Sequence, residues 1–172
     1  PIFYSDNMGK DRYIQFPAGA SVNGTASDDW VYPVGTKIWK EFRAVQEGVS
    51  RTIETRYMEK TNAGWDFGVF LWSPDGSSAT RWNGQSLANV VSVTVPGPGH
   101  DVTVGYNIPS LNDCVTCHVQ HTPSATVRPE PVLGFSAFQL KQSALTQMMA
   151  SGSLQGFVPD WNRSEEHTSE LQ

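Results

Sequence analysis

The chain has little cysteine. Cys114 and Cys117 are its only thiols among 172 residues, so a multi-disulfide scaffold is excluded. A thiolate-rich structural zinc site is short of ligands too, because such sites take four and no second Cys pair exists. Charge is sparse: charged residues make up 17% and the formal net charge is -5, which disfavours a nucleic-acid partner. No apolar run approaches the ~20 residues of a membrane-spanning helix. There is no Gly-rich phosphate loop, no HExxH and no Ser/His/Asp order. No EF-type loop occurs either, so Asp66, Asp75 and Asp101 read as turn or edge acids. Aromatic and turn residues are plentiful by contrast. Six Trp, five Tyr and eight Phe can fill a core, and 15 Gly and 11 Pro imply many turns. The length suits one domain or two small ones.

Both thiols fall in one motif, Cys114-Val115-Thr116-Cys117-His118. Cys-x-x-Cys-His is the attachment signature of c-type haem. Two sulfurs at this spacing reach one edge of a macrocycle and form thioethers with its two vinyl groups. His118 then serves as the proximal iron ligand. A thioredoxin-like dithiol needs a βαβ pattern around the pair, and none flanks residue 114. A plain disulfide between residues three apart is geometrically awkward. The sixth iron ligand stays open. Met148 and Met149 are the candidates, against ordinary core packing beside Leu145. His100 in its Gly/Pro loop is a weaker one. His121 is held by the local chain on the proximal side, Met58 belongs to a strand, and the ligand could also come from elsewhere or be missing.

The flanking chain divides in character. Residues 11–16 form a short strand ended by Pro17, and Tyr32-Pro33-Val34-Gly35-Thr36 turns into a strand over 37–43. The clearest strand is 50–59, with Arg51, Ile53, Thr55 and Tyr57 on one face and Thr52, Glu54, Arg56 and Met58 on the other. On that face Glu54 and Arg56 suit a cross-strand ion pair rather than catalysis. Glu59 and Lys60 suit a solvated strand end. Thr61-Asn62-Ala63-Gly64 makes a hairpin connection into 65–72. There Gly68 is placed for a bulge, and Trp65, Phe67, Phe70 and Trp72 are mostly core. Ser73-Pro74-Asp75-Gly76 is a tight turn. Strands over 89–95 and 101–106 complete an antiparallel sheet or sandwich. After Tyr106 the pattern turns helical. Ser110 is the N-cap of a short helix carrying the cysteines, residues 122–131 form a loop, and residues 136–151 form a helix stopped by Gly152. The expected fold class is α+β: a β-rich antiparallel, sandwich-like domain over 1–106, then a small helical c-type haem segment over 107–162.

Four stretches in this order resemble a poorly characterised group of bacterial exported proteins with cytochrome c-type haem motifs. They are Tyr32-Pro-Val-Gly-Thr-Lys-Ile-Trp-Lys-Glu-Phe42, Ile53-Glu-Thr-Arg56, Ile108-Pro-Ser-Leu-Asn-Asp-Cys-Val-Thr-Cys-His118 and Leu133-Gly-Phe-Ser-Ala-Phe-Gln-Leu140. The resemblance covers most of residues 2–157 and implies haem and export. Many members carry a second Cys-x-x-Cys-His downstream. Residues 163–172 are instead similar to a translated sequencing-adapter oligonucleotide, so they read as an artefactual tail on a metagenomic fragment. The tail holds one Arg and three Glu, so without it the net charge is -3 rather than -5, and His167 leaves the candidate ligands. The natural protein is expected to continue past Asn162.

These readings converge on a covalent haem c protein. It would carry single electrons between iron and an unidentified redox partner protein in the bacterial periplasm. Two alternatives remain: the haem domain of an oxidoreductase or peroxidase-type enzyme, and a β-rich carbohydrate- or protein-binding module with a haem appendage. An electron carrier or redox subunit fits better than a free-standing enzyme.

Overall fold

The computed structural model describes residues 8–25, 30–46, 48–95, 100, 102–116, 118, 132, 135–137 and 139–159. Nine strands and two helices follow in chain order among them. Strands β1 (Gly9–Gln15), β3 (Lys37–Gln46), β4 (Val49–Thr61), β5 (Gly64–Trp72) and β6 (Ala79–Trp82) form one sheet in the order β1-β3-β4-β5-β6. β7 (Leu87–Val95) and β8 (Val102–Ile108) pair as a separate antiparallel ribbon. β2 (Val22–Asn23) and β9 (Leu154–Gln155) make a short parallel pair. Helix α1 spans Leu111–Val115 and α2 spans Gln142–Ala150. The described residues are therefore β-rich and mainly antiparallel, with little helix.

The framework separates into two compact units. The first comprises residues 1–14, 37–59 and 66–117; the second comprises 15–36, 60–65 and 118–172. In the first, alternation along β3 buries Phe42 and Ala44 on one face. Met8, Val69, Val91, Val93, Tyr106 and Ile108 join them in one apolar cluster, so residues of the sheet and of the β7–β8 ribbon share a core. The β3–β4 register runs from Lys37↔Glu59 to Phe42↔Glu54 and then skips to Arg43↔Thr52. Ile53 is the extra residue of this bulge. Regular alternation over 50–59 is thus interrupted at Ile53, which packs against the core from β4. Glu54 and Thr55 are both buried although adjacent in sequence, so β4 is covered on both faces there.

The second unit is held by aromatic stacking. Trp30 lies 6.5 Å from Tyr32 and 6.5 Å from Phe157, and Tyr32 lies 5.7 Å from Trp65 in an edge-to-face arrangement. The Tyr32 hydroxyl donates to the Phe135 carbonyl at 2.6 Å. Gly35, at φ +89°, makes the turn the sequence indicated, with the Thr36 amide and hydroxyl both donating to the Pro33 carbonyl.

Several strand expectations agree to within a few residues, while β2, β6 and β9 carried too weak a pattern to be anticipated. The helix expected over 136–151 begins only at Gln142. Before it, the Gln139 and Leu140 amides both donate to the Ser136 carbonyl in a turn. Gly152 stops the helix as expected, at φ +72°. Trp65, Phe67, Phe70 and Trp72 are half-buried rather than core; on β5 only Gly68 and Val69 are fully buried, and they leave opposite faces of the strand. Residues 122–131 and 163–172 lie outside the described residues.

Candidate functional site

Helix α1 is short, so its placement depends on its cap. Ser110 is extended, at φ -74° and ψ 166°, and its hydroxyl accepts from the Asp113 amide at 3.2 Å. Asp113 Oδ2 accepts from the Ser110 amide at 2.8 Å, which completes a reciprocal capping box. The Ser86 hydroxyl donates to the same oxygen at 2.5 Å, tying the cap to the residue just before β7. The Ser86 hydroxyl first, then the Ser110 amide and hydroxyl, hold the Asp113 carboxyl below its usual range.

This cap sets where the thiol goes. Cys114 is half-buried, and with Leu111 it packs against the first unit's apolar cluster. The Cys114 amide donates to the Ser110 carbonyl at 3.3 Å. Thr116 continues the helical backbone at φ -58° and ψ -48°. His118 is half-buried. Cys117 and His121 lie outside the described residues.

A polar group borders this apolar cluster on β4 and β8. Glu54 is fully buried; its Oε1 accepts from Arg56 Nε and from the Tyr106 hydroxyl, each at 2.6 Å. Arg56 Nη2 donates to the Tyr106 oxygen at 3.0 Å. The Arg56 guanidinium also stacks 4.2 Å from the Phe42 ring centroid. Burial works against the Arg56 charge, but Glu54, Tyr106 and Cys114 outweigh it and raise its pKa. Burial first, and then Glu54, push the Tyr106 phenol up although Arg56 opposes. The Glu54–Arg56 pair expected across strands instead runs along β4, because both side chains leave the same face two residues apart. Tyr106 was missed from sequence; its only signal was a polar aromatic at the end of a β-branched run.

The other candidate ligands fall apart by environment. Met148 and Met149 are half-buried on α2, where Leu145 alone is fully buried. His100 is exposed. Met58 is buried at 6% exposure and packs within β4. Glu59 is not simply solvated, since it accepts from the Tyr57 hydroxyl at 2.5 Å and pairs with Lys37 at 3.9 Å. Lys60 lies 5.5 Å over the Trp65 ring. Among the described residues no three His, Cys, Asp or Glu side chains group to hold a metal ion, and no helix is long and apolar enough to cross a membrane. No family model, curated protein or solved structure matches the chain.

Proposed function

We propose that this chain is a c-type haem protein that transfers single electrons outside the cytoplasm. The observation that carries the reading is the Cys114-x-x-Cys117-His118 motif, with its first thiol on a capped helical turn against an apolar core. The donor set fits haem: two thiols for thioethers and one imidazole for iron, with apolar neighbours at the first thiol. Cys114 and Cys117 would hold the macrocycle and His118 would be the proximal ligand. Met148 or Met149 is proposed as the sixth ligand. When bound, haem supplies an iron that cycles between two oxidation states.

The chain's own residues do the rest. The capping box fixes the helix that carries Cys114, and the cluster of Phe42, Tyr106 and Ile108 keeps water from that side. Electron transfer needs no bond making, so an exposed haem edge near a redox partner protein suffices. Thioether attachment takes place outside the cytoplasmic membrane, hence a bacterial periplasmic location. The finer architecture is part of the proposal: a sandwich-like packing of sheet and ribbon, supported by their shared core, and a helical haem segment over 107–162, supported by α1 and α2. The resemblance to exported haem-motif proteins points the same way.

The test is expression of residues 1–162 in a bacterial periplasm with haem-maturation machinery. A haem-stained band should survive a denaturing gel and vanish in Cys114→Ala/Cys117→Ala. Absorbance spectra with and without cyanide or carbon monoxide then report the sixth position. A closed position supports the carrier, and an open one favours the oxidoreductase or peroxidase-type reading. Absence of covalent haem under these conditions overturns the proposal.

A further inference from the structure

Among the described residues, cations outnumber carboxylates around Lys40 on one face of the five-stranded sheet. Lys40 on β3 stands directly opposite Arg56 on β4, and like charges facing each other across strands destabilise a sheet. Both cations lie over one ring: the Lys40 ammonium is 5.1 Å and the Arg56 guanidinium 4.2 Å from the Phe42 centroid. Lys10 and Arg12 leave one face of neighbouring β1, and their fields reach Lys40. Among the described residues Glu54 is the one carboxylate that offsets them at Lys40. Its Oε1 is already engaged by Arg56 and Tyr106, and its buried Oε2 has no hydrogen-bond partner. Lys40 itself is half-buried and makes no ion pair or hydrogen bond among the described residues.

Buried charge persists where something of opposite sign completes it. We propose that Lys40, with Arg12 and Arg56 around it, forms a binding site for a ligand carboxylate on this sheet face. Burial first, then Arg12 and Arg56, bring the Lys40 pKa down to about 7. A carboxylate would restore the Lys40 charge and accept a hydrogen bond from its ammonium. Cys114 lies near enough to Arg56 to act on it electrostatically. Two sources of the same chemistry therefore arise: a small free carboxylate, or the porphyrin's own carboxylates. The second rests on the haem reading; the first does not.

Citrate titrated into the Cys114→Ser/Cys117→Ser chain by calorimetry at low salt tests the site without haem. One saturable site is expected. Lys40→Met should weaken it at least about tenfold, the scale of one charge-assisted hydrogen bond. Lys37→Met should leave it unchanged, because Lys37 leaves the other face and pairs with Glu59. The haem-loaded protein separates the sources. If it no longer binds citrate and Lys40→Met lowers its midpoint potential, the porphyrin carboxylates occupy the site. If it binds citrate as the cysteine-free chain does, the ligand is a free carboxylate. No saturable citrate binding to the cysteine-free chain, or equal binding in the Lys40→Met and Lys37→Met variants, overturns the proposal. A chain that never attaches haem leaves this titration intact, so the two readings fail separately.

Discussion

Each compact unit buries a tyrosine hydroxyl at its centre, and the two do so differently. Tyr106 in the first unit gives its proton to Glu54 and receives one from Arg56. Tyr32 in the second gives its proton to the Phe135 carbonyl, 103 residues away in sequence. One hydroxyl completes a charged pair lying along a single strand. The other joins two distant segments of chain. The first unit thus keeps a polar centre that is costly to desolvate and tightly specified once formed. The second relies on aromatic packing and a neutral hydrogen bond, a less costly centre that forms only after long loops have closed.

The largest expected effect breaks the first centre. Glu54→Ala leaves the half-buried Arg56 guanidinium without its carboxylate and the Tyr106 hydroxyl without its acceptor, and should cost about 3 kcal/mol, the low end for a broken buried pair because Arg56 keeps some contact with water, measured by urea denaturation. Replacing both residues, as Glu54→Leu/Arg56→Met, should recover much of that loss because no charge is stranded. A single-variant loss below about 1 kcal/mol would mean that the pair behaves as an exposed one in spite of the burial of Glu54, since exposed pairs contribute no more than that. The contrast between the two centres would then collapse.

Tyr32→Phe should act less strongly. It removes one neutral hydrogen bond and leaves the Phe135 carbonyl short of a donor, for about 1–3 kcal/mol. Ring stacking on Trp30 and Trp65 survives, because the ring stays. Tyr106→Phe in the same assay should cost more than Tyr32→Phe, since hydrogen bonds to charged groups are the stronger kind. Equal losses would show that the charge on Glu54 and Arg56 adds nothing at the Tyr106 hydroxyl.

The same contrast explains what could be read from the sequence. Strands β3, β4 and β5 are consecutive and joined by tight turns, so alternation and turn residues sufficed to place them within a few residues. The bulge at Ile53 left no mark, because it is a property of two strands in register and not of either alone. The second unit's contacts join Val22 to Leu154 and Tyr32 to Phe135. No local pattern encodes such pairings, so β2 and β9 went unforeseen. At the candidate site the motif and the Ser110 cap were legible because both are short-range signals. Burial of Glu54 and the facing of Lys40 with Arg56 were not, since each depends on what covers the strand.

Ser110→Ala sharpens this division between local and distant signals. It removes the hydroxyl that receives the Asp113 amide and half of the reciprocal cap, for about 1 kcal/mol. The loss should appear in hydrogen exchange as faster exchange at the first amides of α1, with β3 and β4 unchanged. In the haem-stain assay the same variant should attach haem less completely, because the cap positions the first thiol. Faster exchange spreading through β3 would instead mean that α1 is integral to the core rather than seated upon it.

The smallest effect belongs to the most local feature, the turn between β5 and β6. Asp75 accepts from the Ser73 hydroxyl at 2.5 Å and from the Ser77 amide at 3.1 Å, and these bonds hold its pKa at about 2. The folded state therefore binds its proton less readily than the unfolded chain, whose carboxyl titrates near the ordinary value of 3.8. The contribution is fully present above that ordinary value and fades as pH falls toward about 2. Asp75→Asn should accordingly be slightly less stable than the parent at pH 7, and the difference should shrink in acid. Because Asp75 is exposed, solvent screening keeps the effect small. Paired thermal melts at pH 7 and in acid would check it. A difference that grew on acidification would reverse the sign and show that the carboxylate opposes the turn rather than closing it.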